Sequence, residues 1–305
     1  MTLAQFPSLD LKRILSGAQL PALPQSAIRL LELSQDSENG PGEFAVPIES
    51  DPGLTGQVLR FVNSSYFGFS REISSVKLAI TLVGIRTIKN FALWSAVFSL
   101  MPNPKCGPFD LRSLWQDSLR RALFARALGR LLGIKEPEEL FAAALLQDMA
   151  VPLLAKGAPD AYVKLLSARN QGGIRLSILE KTAFGWTHAE AAGMMARQWN
   201  LPDAFAVLVE SHLDIDRWIA HVESEPAKVA VAMSALLPTV ADSAWSECDA
   251  LESCYAKVCP AAGAPVTELL GQIDREFAEF APMLKLSSPS KSLLESYQEV
   301  MMPAT

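Results

Sequence analysis

FAAALLQDMAVPLLAK, residues 141–156, is an apolar helical run with one polar notch at its centre, Gln147 and Asp148. A carboxylate in such a place has to be hydrogen-bonded, paired with a cation or bound to a metal, because burying it bare costs too much. The remainder of the chain decides among these.

Helical periodicity dominates on both sides of that run. SAIRLLELSQ places Ile28, Leu31 and Ser34 on one stripe and Leu30 and Leu33 on the next, a broad buried face. In DPGLTGQVLRFVN, Asp51 is set as an N-cap with Pro52 at the first helical position. EPEELFAAALLQDM opens on Pro137 among acidic residues that suit the helix dipole. THAEAAGMMARQW has Thr187 and Glu190 at capping-box spacing, which puts His188 in a first turn. LPDAFAVLVESHL begins another helix at Pro202 and carries His212 near its end. No region shows the two-residue alternation and hairpin turns of strands. The fold class is therefore all-α. MPNPKCGPFD, residues 101–110, is the internal boundary, and VCPAAGAPV is a weaker one before two closing amphipathic helices.

The chain has 305 residues, half of them apolar and a fifth charged, which suits a compact protein with a full core. Its net charge of −6 counts against a nucleic-acid binder, so no nucleic-acid partner is expected. The basic cluster Arg120, Arg121, Arg126 and Arg130 reads as solvated arginines along a helix. The apolar runs Phe91–Leu100 and Val229–Leu237 are far short of a membrane span. MTLAQFPSLDLKRIL lacks the features of a secretion signal, so the expected location is the cytoplasm, with no membrane partner. Cys106, Cys248, Cys254 and Cys259 do not have zinc-site spacing and read as reduced thiols.

Several segments together resemble the HDOD domains, or HD-related output domains, over roughly residues 18–214. LPALPQSAIRLLEL is similar to the family's opening helix. IESDPGLTGQVLRFVNSSYFG resembles its most recognisable block, through Asp51-Pro52, Leu54, Asn63-Ser64 and Phe67-Gly68. ISSVKLAITLVGIRTIKNFAL follows as it does in the family. LWQDSLRRALFARALGRLLG, FAAALLQDMAVPLL and HAEAAGMMARQWNLPDAFAVLVESH resemble the portion related to HD phosphohydrolases.

That resemblance implies an N-terminal helical lobe, residues 1–102, packed on a degenerate HD-phosphohydrolase-like lobe, 109–240, with a C-terminal helical extension, 241–305. It also bears on the notch. HD hydrolases hold divalent metal with a His-Asp pair, a further histidine and a later aspartate, and the metal supplies hydroxide and draws charge from the phosphate. Against the pattern His-Asp-x-Gly-Lys, this chain has Gln147, Asp148, Met149, Ala150 and Val151, so only Asp148 survives. Asp117 replaces the upstream histidine, and the late aspartate falls near Ser234.

A neutral amide is a poor substitute for imidazole on a transition metal, and the phosphate-facing lysine is missing. Asp117, Gln147, Asp148, His188 and His212 are therefore read as a vestigial site, with no catalytic residue and no cofactor or metal expected. Asp148, His188 and His212, with Asp117 as a fourth, make a ligand set only if their helices converge. His221 has no motif around it and belongs on the surface.

Outside that site, NSSYFGFSRE mixes aromatic and hydrogen-bonding groups, and Asn63, Ser64, Tyr66, Phe67 and Arg71 are candidate interaction residues. The six tryptophans read as core, and neither a P-loop nor a Gly-x-Ser-x-Gly elbow occurs. The resemblance implies a non-catalytic bacterial signalling module with a partner protein. A metal-dependent phosphohydrolase with altered ligands and a nucleotide-sensing binder without turnover are the alternatives.

Overall fold

The structure is a computed structural model that describes residues 9–17, 20–34, 36, 38–259 and 264–301. Every regular element among these residues is helical. The N-terminal lobe comprises α1 (Leu11–Gly17), α2 (Gln25–Leu33), α3 (Pro41–Glu49), α4 (Pro52–Val62), α5 (Val76–Val83) and α6 (Ile85–Leu100). The HD-type lobe begins with α7 (Leu111–Leu131), α8 (Pro137–Leu146), α9 (Val151–Gly157), α10 (Pro159–Gly172) and α11 (Leu176–Phe184). It continues through α12 (His188–Gln198), α13 (Asp203–Glu210), α14 (Ile215–Trp218) and α15 (Pro226–Ser234). Helices α16 (Cys248–Val258), α17 (Val266–Phe280) and α18 (Leu293–Met301) complete the described chain. The expectations for the first eight residues, for positions 18–19 and for 260–263 within VCPAAGAPV fall outside the described residues.

The caps form as the sequence dictates. Asp51 accepts from the Leu54 amide at 3.0 Å, and Thr187 caps α12 through the Glu190 amide. All six tryptophans are buried, and His221 is exposed. Two indoles tie the lobes together: Trp186 Nε1 donates to Leu9 O at 2.8 Å, and Trp199 Nε1 donates to Pro21 O at 2.9 Å.

Two expectations need correction. The run 141–156 is not one helix, because residues 147–150 form a turn between α8 and α9. Pro152 has no N–H to give to Asp148 O, so the α-helical ladder stops there and Val151 N bonds that carbonyl instead, at 3.0 Å. The apolar segment Pro137–Gly157 is long enough to cross a membrane by length and composition, yet 89% of its apolar window is buried inside the fold.

The second correction concerns the arginines of α7. Arg120 and Arg126 are buried, Arg121 is nearly so, and only Arg130 is well exposed. Each buried one meets a specific acceptor. Arg120 donates to Lys291 O, Arg121 to Asp148, and Arg126 to Glu276 at 2.6 Å with Glu138 at 3.6 Å. The Arg126 guanidinium also lies 4.9–5.4 Å from the ring centres of Tyr66, Phe141 and Phe280. Tyr66 belongs to the N-terminal lobe, Phe141 to the HD-type lobe and Phe280 to α17, so one side chain joins three parts of the chain.

Arg126→Ala would leave two carboxylates without their buried partner. Urea unfolding should register a loss of about 3–5 kcal/mol, and a loss below 1 kcal/mol would remove Arg126 from its role as a joint.

Candidate functional site at the HD position

The break in the α8–α9 run turns Asp148 out of the helical stack and toward α7, α12 and the turn after α13. Its two oxygens meet different neighbours. Oδ2 is paired with Arg121 of α7. Oδ1 lies 3.1 Å from His188 Nε2 and 3.6 Å from His212 Nε2. The sequence thus identified three residues that the fold does bring together: Asp148, His188 and His212 present donor atoms all within 4.8 Å of one another.

Each ring is aimed from behind. His188 Nδ1 is 2.6 Å from Glu180 Oε2, and its backbone N–H donates to the same oxygen at 2.8 Å. Tyr162 donates to Glu180 Oε1 at 2.8 Å. His212 Nδ1 lies 2.6 Å from Val209 O, so Nδ1 carries the proton and the Nε2 lone pair faces Asp148. That Nε2 is buried without a hydrogen-bond partner.

The other two candidates lie outside this ligand set and have partners of their own. Asp117 accepts from the Val240 amide at 2.7 Å. Gln147, wholly buried, has its amide 3.3 Å from Ser234 Oγ, the residue at the late-aspartate position.

The charges follow from this geometry. Burial alone would raise Asp148, but the Arg121 charge and the His188 hydrogen bond outweigh it and hold the carboxyl well below the usual range. Burial pulls His188 down, yet the Glu180 charge and the bonds to Asp148 and Glu180 push it up to about 10. Burial lowers His212 and keeps that ring neutral. Burial lifts Asp117 to about 7 against the pull of Arg121 and the Val240 amide. Two anions, Asp148 and Glu180, therefore face two cations, Arg121 and protonated His188.

HD kinship implies a divalent metal here, and the donor set fits one ion. Ligand bonds of about 2.0–2.2 Å to a single ion put neighbouring donors roughly 3–3.5 Å apart. Asp148 Oδ1 lies 3.1 Å from His188 Nε2 and 3.6 Å from His212 Nε2, close to that spacing, with all three donors within 4.8 Å of one another, and the unpartnered His212 Nε2 is the kind of atom such an ion satisfies. Among the described residues a second ion has no comparable set: Gln147 faces Ser234, Asp117 faces Val240 N, and Arg121 occupies Asp148 Oδ2.

The cluster opens into a cleft of about 170 Å³. Asp117, Arg121, Arg169 and Arg175 contribute its polar walls, and Phe109, Leu166 and Leu237 are among its apolar ones. Arg169 pairs with Asp242 and Arg175 with Glu247.

Residues 20–215 match the HDOD domain. The chain belongs to the HDOD family. Among curated relatives, a protein of Treponema pallidum (strain Nichols) without assigned function is 23% identical over 194 residues, which are 62% of this chain and 37% of that protein. The HDOD chain thus spans little more than a third of that relative. A solved Marinobacter aquaeolei VT8 protein, provisionally described as acting in signal transduction, superposes with a TM-score of 0.66 at 19% identity, covering 93% of this chain and 62% of that one. A provisionally assigned phosphohydrolase of Shewanella amazonensis SB2B gives 0.63 at 21% identity, covering 92% and 96%. At these identities the likeness is one of fold, an N-terminal helical lobe packed on an HD-type lobe.

In the HDOD loop after α4, the candidate interaction residues separate into two groups. Asn63 donates to Ile73 O and accepts from Ile73 N, both at 2.7 Å, and Ser64 donates to Phe61 O. Tyr66 and Phe67 are half-buried, with Tyr66 packed on Phe280 and Phe67 edge-on to Phe61. Arg71 is exposed.

Sequence reading missed Arg121, Glu180 and Tyr162. A signal existed for two of them: Arg121 follows Asp117 by one helical turn, and Glu180 sits four residues from Leu176 and Phe184 on an otherwise apolar stripe.

A His188 value raised above its ordinary 6.5 gives stabilisation that is complete below pH 6.5 and lost as pH rises through about 10. In chelator-containing buffer the melting temperature should fall over that window, with a shallower slope in His188→Gln. Equal slopes would show that His188 is not held as the cation between Asp148 and Glu180.

Proposed function

We propose that this HDOD protein is a non-catalytic signalling module of the cytoplasm that acts by binding a partner protein. In this reading residues 1–102, 109–240 and 241–305 are its working units. The observation that carries the reading is the pairing of Arg121 with Asp148 Oδ2. Asp148 is the one survivor of the His-Asp pair, and a tethered guanidinium uses the oxygen that a second cation would need. Gln147 supplies no ligand from its buried place beside Ser234. Two-metal chemistry, in which a pair of ions about 3.5–4 Å apart clamps the attacking and leaving oxygens, lacks its second half.

The exposed end of the loop after α4, at Arg71, is the proposed contact for the partner. Its inner end at Tyr66 is anchored on Arg126 and Phe280. Arg71→Ala should reduce recovery of partner from a lysate of the native host without moving the melting temperature, whereas Tyr66→Ala should lower that temperature. Full recovery with Arg71→Ala removes this contact from the proposal.

A second reading, a mononuclear metal-dependent phosphohydrolase, draws support from the convergence of Asp148, His188 and His212. A divalent ion held there would supply Lewis acidity and a bound water of lowered pKa. Arg121 would face the phosphate. A nucleotide-sensing role without turnover would draw on the same cleft, whose walls include Arg121, Arg169 and Arg175.

Purified protein with manganese, iron or magnesium is expected to leave cyclic dinucleotides and model phosphodiesters intact. Asp148→Ala should destabilise the fold by leaving Arg121 and His188 facing each other without their anion. Turnover that disappears in a folded Asp148→Ala protein would install the hydrolase reading instead.

A further inference from the structure

Glu180 is a charged side chain with no solvent exposure and no place in the ligand set. Its two oxygens take three donors: the Tyr162 hydroxyl, the His188 backbone N–H and His188 Nδ1. The backbone bond fixes the start of α12, and the ring bond fixes the rotation of the imidazole. With Nδ1 committed to Glu180, only Nε2 is left to face Asp148 and His212. Tyr162 is itself fully buried on α10, so the support for the ring runs through two layers of packed side chains.

Charge gives Glu180 a second part. Arg121 cancels the charge of Asp148, and His212 is neutral. Without Glu180, a dication entering the cluster would meet no net negative charge. With it, once the incoming metal displaces the His188 Nε2 proton to solvent, one anion remains directly behind a ligand ring, hydrogen-bonded to its Nδ1–H.

We propose that Glu180, held by Tyr162, is the positioning residue for a single metal site formed by Asp148, His188 and His212. Two imidazole nitrogens and one carboxylate favour zinc, cobalt or iron over magnesium and calcium, which prefer oxygen ligands. This goes beyond the proposed function, because holding an ion is not turnover, and either claim can fail alone.

The test uses the full chain, stripped with chelator and dialysed. Cobalt(II) is titrated by visible absorption and zinc by calorimetry into wild type, Glu180→Gln, Tyr162→Phe and His212→Ala, with the melting temperature of each metal-free form measured alongside. Wild type should take up one equivalent of cobalt with a d–d band that excess magnesium does not remove, and His212→Ala should lose that band. Glu180→Gln should bind about 10–100-fold more weakly, and Tyr162→Phe should also bind more weakly, by a smaller factor. A merely structural glutamate would lower the metal-free melting temperature and leave cobalt affinity unchanged, which would overturn the proposal. Wild type with neither band nor zinc heat would overturn it as well. If Glu180→Gln does not fold, Tyr162→Phe decides, and wild-type affinity in that folded variant refutes the positioning role.

Discussion

The buried carboxylate of Asp148 is the constraint around which the HD-type lobe is arranged. An ionised side chain at that depth is tolerable only when both oxygens are engaged. One oxygen has Arg121, and the other faces His188 and His212. Those partners come from α7, from the start of α12 and from the turn after α13, so satisfying one charge fixes three pieces of backbone. The demand then passes outward: His188 needs Glu180, and Glu180 needs Tyr162. Removing any member leaves a buried group without its counterpart, so the network behaves as a unit rather than as separable pairs.

Helix α7 carries this local arrangement to the rest of the molecule. Asp117 and Arg121 face the cleft, while Gln116 and Arg120 hold carbonyls of the C-terminal segment at Ser287 and Lys291. Further along the same helix, Arg126 joins α7 to α17 through Glu276 and to the N-terminal lobe through the Tyr66 ring. The cleft, the C-terminal helices and the loop after α4 therefore all make contact with one helix.

Much of this was legible in the sequence, for identifiable reasons. Caps and helix starts at Asp51, Pro137 and Thr187 are local chemistry, and local chemistry is written in consecutive residues. Asp148, His188 and His212 were readable as candidates because their residue types and the family pattern single them out. Their convergence was not, since it depends on how α8, α12 and α13 pack. The arginines of α7 were misjudged for the same reason: an arginine on a helix looks solvated until its acceptor, up to 171 positions away in the case of Arg120, is known. The interruption of the apolar run was not anticipated, although Pro152 carried the signal for it, because a missing N–H inside a helical pattern ends the ladder at a countable position. Tyr66 looked like a recognition residue, and only the placement of Phe280 and Arg126 shows how much of its ring is committed to packing.

The central claim is that the buried carboxylates Asp148 and Glu180 hold His188 between them as a doubly protonated ring, while the Val209 carbonyl and burial keep His212 a neutral Nδ1–H tautomer. Nitrogen-15 NMR of the imidazoles in metal-free protein near neutral pH reads this directly. The account predicts His188 protonated on both nitrogens, and His212 protonated on Nδ1 alone with a bare Nε2. A neutral His188, or a His212 carrying its single proton on Nε2, would contradict it.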